Sequence, residues 1–416
     1  MRSVFWGLYQ VATGAALLAA GPFLLARRGG HYLPTLPGRL GRAAGPARAT
    51  GGLWLHAVSV GEVSVAATLA RALPPELPLL VTTVTPTGQA RAHTLFPQAD
   101  VAYLPFDLGF AVDRFYDRFA PRALVLVEGD YWPLVLREAR RRGLPVAVVN
   151  GRIGDRSFAR LRRLRPLLGP LFSAIDRFGV QTADDRARLL ELGIPEERIT
   201  VTGNLKYESP EPPRKPDLED ALQALAAGRP ILLAGSTMPG EEEQVLDAHQ
   251  AAGGGARALL VLAPRHPERW NEVAALLSSR GLTAVRRSAL PAAGSPEVVL
   301  LDSLGELASL YRLAAAAFIG GTLVPTGGHN PLEAARFGVP VAVGPSMHNF
   351  RDMAEQLDRA AAWRRAADAR ALGEIWKDWL DDPAAAREQG ARAVRLVEEN
   401  RGALERTLAM LQPLLP

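Results

Sequence analysis

A chain of 416 residues exceeds what one compact core supports and points to two domains. With 48% hydrophobic and 22% charged residues the composition is that of a folded, largely soluble protein, and the absence of cysteine excludes disulfides, thiol catalysis and cysteine-ligated metal. The net charge of +5, carried largely by Arg, leaves an anionic membrane surface, a phosphorylated acceptor and nucleic acid as partners to weigh.

Residues 3–26 hold no charged side chain and are followed by Arg27, Arg28, Arg39, Arg42 and Arg48. A bilayer crossing needs roughly 20 apolar residues. A membrane anchor is therefore expected over residues 1–30, its positive flank holding the rest of the chain in the cytoplasm. Ala19-Ala20-Gly21 offers small residues for signal cleavage, but only Arg2 precedes the apolar run and the positive cluster lies on the wrong side for export. Gly7, Gly14, Gly21 and Pro22 weaken the helix, so spanning the bilayer and lying in its interface both stay open.

Beyond this segment short apolar runs alternate with helical patterns, the signature of parallel α/β sheets. The first half predicts strands at 53–59, 79–83, 101–104, 123–127, 145–150, 178–181 and 199–202. His56-Ala-Val-Ser-Val-Gly-Glu62 closes the first strand and turns into a helix, with Gly61 permitting the turn. Glu62 then sits at a helix start beside a carboxyl strand end, where ligands of such sheets bind. It is either a general base or a first-turn charge that complements the helix dipole. Glu128 ends the strand 123–127 in the same way. Ten Arg fall between Arg137 and Arg165, including Arg160-Leu-Arg-Arg-Leu-Arg165. This is either a solvated face or a face for anionic lipid or a phosphorylated acceptor. No aromatic interleaving or nucleic-acid motif accompanies it, so nucleic acid is not expected.

Lys206, in Gly203-Asn-Leu-Lys206, precedes a stretch with four prolines in eight positions, 209–216, which reads as an interdomain linker. Strands then resume at 231–234, 259–262, 298–301, 315–319 and 339–343, and the tail 384–415 reads as helix. After these strands come Ser236 and Thr237, Pro264 and Arg265, and Leu304-Gly305-Glu306; each is an ordinary turn or a place for phosphate. The densest stretch is Gly320-Gly-Thr-Leu-Val-Pro-Thr-Gly-Gly-His-Asn-Pro-Leu-Glu333. It reads as a strand, a glycine-rich loop and a helix opened by Gly327-Gly328 that carries His329, Asn330 and Glu333. Unpaired N–H groups at such a start attract phosphate, and Glu333 is a natural acceptor for a ribose diol. Seven His without ligand spacing and no Asp-x-Asp give no sign of a metal. The organisation expected is an anchor (1–30), a first domain (31–208), the linker (209–216), a second domain (217–390) and a helix (391–416).

The last stretch resembles the signature Gly-Gly-Ser-Leu-Val-x-x-Gly-Gly-His-Asn-Pro-Leu-Glu of the 3-deoxy-D-manno-octulosonic acid (Kdo) transferases, and the resemblance runs from about Gly38 to Phe350. It implies the GT-B glycosyltransferase fold, two doubly wound Rossmann-like α/β domains whose final helix crosses back to the first. It also implies transfer of Kdo from CMP-Kdo to a lipid A precursor at the inner face of the cytoplasmic membrane. The family's His-x-Val-Ser-Val-Gly-Glu matches at His56–Glu62, implying Glu62 as catalytic base. The family's Glu-Thr-Glu-Leu-Trp-Pro matches at Glu128, Trp132 and Pro133 but not at Gly129, Asp130 or Tyr131, which bears on acceptor specificity. The resemblance carries a stabilising role to Glu128 and Lys206, and CMP contacts to Pro264, Arg265, Leu304, Gly305, Glu306, Asn330, Pro331, Leu332 and Glu333. It implies no cofactor and no metal.

Two other classes compete. A nucleotide-sugar epimerase should lack the apolar N-terminal segment, and a non-catalytic sugar-nucleotide binder should not retain Glu62, Glu128 and Lys206 together. A transferase of this family with another lipid acceptor is kept open by the departures at Asp130 and in Asn150-Gly-Arg-Ile-Gly-Asp155.

Overall fold

The structure, a computed structural model, describes residues 6, 7, 9–16, 18, 19, 21, 33–42, 47, 49–208, 210–292 and 294–415, without the side chains of 166–168 and 170. They form two compact units. One runs to Pro210 and takes up the chain again from Arg401; the other is Glu211–Asn400.

Each unit is built on a seven-stranded sheet whose pairings are all parallel. In the first unit the strands are β1 (Leu53–His56), β2 (Leu79–Thr83), β3 (Asp100–Tyr103), β4 (Ala123–Val127), β5 (Val146–Gly151), β6 (Arg177–Val180) and β7 (Ile199–Val201). Their order is β3-β2-β1-β4-β5-β6-β7. In the second they are β8 (Ile231–Thr237), β9 (Leu259–Pro264), β10 (Ala284–Arg286), β11 (Val298–Leu300), β12 (Ala316–Ile319), β13 (Val341–Val343) and β14 (Trp363–Arg365). These lie in the order β10-β11-β9-β8-β12-β13-β14. Helices cover both faces, so the central strands carry apolar side chains at nearly every position; β1, β4 and β5 are buried throughout. On one face of the first sheet Trp54 packs against Phe115 and Tyr116 at ring distances of 4.9 and 5.3 Å, and its Nε1 donates to Thr82 Oγ1 at 2.8 Å.

Three departures from the sequence reading have local causes. Strands β10 and β14 lie at the two edges of the second sheet, are three residues long and carry Arg286, Arg364 and Arg365, so no apolar run announces them. Pro216, expected as linker, opens the helix Pro216–Ala226, where its missing N–H costs nothing. The tail is two helices, Pro383–Glu399 and Ala403–Leu411, broken at Gly402 with φ 84°. The break falls where the chain leaves one unit for the other.

No helix among the described residues is long and apolar enough to cross a membrane. Much of the expected anchor, Arg27 and Arg28 included, lies outside the described residues. The part that is described, helical over residues 9–16, is held by the first unit. Tyr9 donates to Asp107 Oδ2 at 2.7 Å, and Arg137 lies over the Trp6 ring at 5.1 Å. Asp107 in turn accepts from the N–H groups of Leu134 and Val135, which start the helix Pro133–Arg141. This stretch therefore packs on the first unit, with Tyr9 sharing Asp107 with the start of that helix.

The helix Ala403–Leu411 completes the core on the other face of the first sheet. Ala403, Met410 and Leu411 join Leu55, Val63, Val125 and Leu205 in one buried cluster. Its first turn is tied by Ala403 N–H to Glu208 Oε1 at 2.8 Å, and Arg406 Nε reaches the Thr202 carbonyl at 2.9 Å. Leu411→Ala is expected to destabilise the first unit by about 2–5 kcal/mol in urea unfolding. A midpoint equal to wild type would show that this helix only rests on the surface.

Candidate active site

In the first unit the chain runs outward from β1 to β2 and β3 on one side and from β4 on the other. The carboxyl ends of β1 and β4 thus flank a topological switch point, the crevice where open α/β sheets bind ligands. Glu62 follows β1, and Glu128 and Asp130 follow β4. The helix Val60–Ala70 places Glu62 in its first turn, and its carboxylate folds back to accept from Val58 N–H at 2.7 Å and from the Ser59 hydroxyl at 3.0 Å. Burial pushes its pKa up to about 7, and the charges of Glu128 and Asp130 push the same way, against the two hydrogen bonds. A carboxyl titrating there is half ionised near neutrality, the condition a general base needs.

Glu128 turns off β4 with φ 66°, followed by Gly129 at φ 112°. Its Oε1 meets Lys206 Nζ at 2.8 Å, so two residues far apart in sequence form one ion pair beside Glu62. Asp130, where the family has Glu, accepts from Trp132 Nε1 at 2.8 Å. Burial opposes its charge, yet the neighbouring His56 and the Trp132 N–H hold its pKa below the usual range. His56 itself is buried, and its Nδ1 meets Thr82 Oγ1 at 2.9 Å. Trp54 already donates to that oxygen, so the Thr82 proton is free to reach Nδ1. The ring proton then belongs on Nε2, which lies 3.8 Å from Asp130. The sequence reading quoted His56 within a motif without assigning it to the site.

The second unit has its switch point between β8 and β12. Ser236 and Thr237 close β8 across a register shift, with Ser236 at φ 58°. The Thr237 hydroxyl is buried and donates to Glu242 Oε1 at 2.9 Å, so it braces the loop and does not face a phosphate. Gly320 lies so close to this bulge that a Cβ would stand 2.2 Å from the Ser236 carbonyl oxygen. The N–H groups beyond it are not open to an anion either. Gly321, Thr322 and Leu323 donate to the Glu241 carboxylate at 2.6, 2.9 and 2.8 Å, and Met238 adds a fourth bond at 2.9 Å. Burial raises the Glu241 pKa and these four N–H groups oppose it. Glu241 was missed from sequence because three of its four partners lie 80 and more positions away.

The expected helix after Gly327-Gly328 is a single turn, Leu332–Ala335, with Pro331 before it. His329 and Asn330 precede the turn, and Asn330 Oδ1 accepts from Leu332 N–H at 3.1 Å, so Asn330 and Glu333 do not share a helical face. Pro264 ends β9 and is buried, whereas Arg265 beyond it is exposed and makes no ion pair among the described residues. Burial and the charges of Arg265 and His266 bring His329 down to about 4. That neutral ring beside an unneutralised guanidinium is suited to an anion. Leu304 is exposed and Gly305 has φ 78°. Burial opposes the charge of Glu306, yet Arg287 Nε and Nη2, each donating at 2.9 Å, and the Ser303 hydroxyl hold its pKa low and occupy the carboxylate.

Comparison with known proteins follows this geometry. Residues 34–209 match the family model described as 3-deoxy-D-manno-octulosonic-acid transferase (kdotransferase). The 3-deoxy-D-manno-octulosonic acid transferase of Bordetella pertussis is 38% identical over 403 residues, 93% of each chain. The Haemophilus influenzae enzyme of the same name is 36% identical over 88% of this chain and 87% of its own. A solved UDP-GlcNAc 2-epimerase from Neisseria meningitidis superposes with a TM-score of 0.58 over 87% of this chain and all of its own, at 12% identity. Such a likeness speaks for the two-sheet fold alone, so fold does not separate transferase from epimerase here and sequence does.

Glu241→Gln replaces an acceptor of four N–H groups with an amide that must turn a donor towards one of them. Urea unfolding of the second unit should show a loss of about 1–3 kcal/mol. An unchanged midpoint would show that the glycine loop holds its shape without this carboxylate.

Proposed function

The chain belongs to the 3-deoxy-D-manno-octulosonic acid transferase family and is a GT-B glycosyltransferase, and on that basis we propose that it moves Kdo from CMP-Kdo to a lipid A precursor of the lipid IVA type at the cytoplasmic membrane. Glu62 takes the proton from an acceptor hydroxyl. The oxygen attacks the anomeric carbon of Kdo, the bond to the CMP phosphate breaks, and the phosphate leaves with the electron pair, inverting the centre. Lys206, held by Glu128, and Arg265 offset the charge that the sugar carboxylate carries and that develops on the departing CMP. Arg265 grips phosphate, and Glu333 accepts from the ribose of the nucleotide. The Arg-rich helix Asp155–Phe172 and the apolar N-terminal segment serve the lipid surface.

The observation that carries this reading is the Glu62 carboxyl, tied by Val58 and Ser59 at the end of β1 and poised near neutrality. A base acts in its ionised form, so kcat/KM should rise with pH through about 7 and level off above it. Glu62→Gln keeps the size and loses the basicity. Turnover of CMP-Kdo with detergent-dispersed lipid IVA, read by mass spectrometry of the lipid, should fall by roughly 10²–10⁴-fold with CMP affinity unchanged. Wild-type turnover with chemistry limiting would remove Glu62 from this role.

The donor half has its own test. Arg265→Ala and Glu333→Ala should each weaken CMP binding in calorimetric titration, and CMP should raise the thermal midpoint of the wild-type protein by linkage. Unchanged CMP affinity in both variants would place the nucleotide elsewhere.

A further inference from the structure

Asn150 lies near the end of β5, is fully buried, and has φ 54°. Asn enters this left-handed region more readily than other side chains with a Cβ. Both ends of its amide are used. Oδ1 accepts from Leu205 N–H at 2.8 Å, and Nδ2 donates to Glu128 Oε1 at 3.2 Å. Its main-chain carbonyl accepts from Gln181 Nε2 at 2.9 Å. Leu205 opens the short turn Leu205–Glu208 that carries Lys206, and Lys206 Nζ meets the same Glu128 oxygen at 2.8 Å. One amide therefore joins the end of β4, the end of β5 and the turn bearing the lysine. Glu128 is further fixed by its N–H on the Val149 carbonyl at 2.9 Å and by Arg152 N–H on its carbonyl at 3.2 Å.

We propose that Asn150 is a positioning residue for sugar transfer, holding Glu128 and Lys206 in a single ion-paired geometry. The inference rests on the reading of Glu128 and Lys206 as groups that handle charge in the reaction. The amide meets a donor, Leu205 N–H, with its oxygen and an acceptor, the Glu128 carboxylate, with its nitrogen. Only one orientation satisfies both. An apolar replacement leaves Leu205 N–H buried without a partner and releases one restraint on Glu128. A carboxylate keeps the bond to Leu205 but faces Glu128 with like charge, in a site that the charges of Glu62, Asp130 and Lys206 also reach.

Asn150→Ala and Asn150→Asp distinguish positioning from mere stability. With CMP-Kdo and detergent-dispersed lipid IVA, Asn150→Ala should lower kcat by about 10- to 100-fold at all pH, with calorimetric CMP affinity within about twofold of wild type. Asn150→Asp should be as slow at pH 8. Its activity relative to wild type should recover as pH falls, because the new carboxyl and Glu128 share a proton and the protonated form again donates to Glu128. A structural role alone moves melting temperature without that recovery. Wild-type kcat in both variants, or a ratio for Asn150→Asp that is flat with pH, would overturn the proposal. So would failure of both to fold, which would assign Asn150 to the fold. Glu128→Gln and Lys206→Met run in parallel: wild-type turnover in these two would sink the reading of the ion pair itself, whereas their loss with an unaffected Asn150→Ala would sink only the role of Asn150.

Discussion

A parallel sheet covered by helices on both faces leaves polar chemistry nowhere to go except the strand ends. In both units the central strands are apolar at nearly every position because each face is packed. The side chains that can do chemistry therefore follow the carboxyl ends of β1, β4, β8, β9 and β12, and the switch points decide which of those ends lie side by side.

At these ends the protein puts buried carboxylates to different uses, and the partners decide which. Glu62 has two hydrogen bonds and two like charges, and burial leaves it near neutrality. Glu128 is matched by Lys206 and by the Asn150 amide. Glu241 is saturated by four backbone N–H groups and Glu306 by the Arg287 guanidinium and the Ser303 hydroxyl, so both shape loops. A carboxylate with all its acceptor positions filled is a structural element; one held by few bonds is available to a substrate.

The helix Ala403–Leu411 shows the same economy in packing. The chain leaves the second unit through Gly402, and Leu411 and Met410 fill the core that Val63, beside Glu62, also enters. The first turn of this helix is anchored on Glu208, two residues beyond Lys206, so the C-terminal residues brace the lysine-bearing turn as well as the sheet.

Much was legible locally. Strand 123–127 falls where expected because a strand buried on both faces reads as an unbroken apolar run, and 79–83 is announced by its apolar start Leu79-Leu80-Val81. Glu62 and Glu128 stand out because polar residues directly after such runs are conspicuous, and the two-domain α/β class followed from alternation. The edge strands β10 and β14 carried no such run. The helix start after Gly327-Gly328 read as an anion site from its own segment; that Gly321, Thr322 and Leu323, earlier in the same loop, donate to Glu241 had no local signal, since Glu241 lies 80 and more positions away. Asn150 looked like a strand residue, and its 55-residue reach to Leu205 gave no local signal. Periodicity and turn chemistry are properties of neighbours along the chain, so the sequence by itself determined the elements and their class. Sheet order and the partner of each buried polar group depend on contacts between distant segments, and only the tertiary structure decided those.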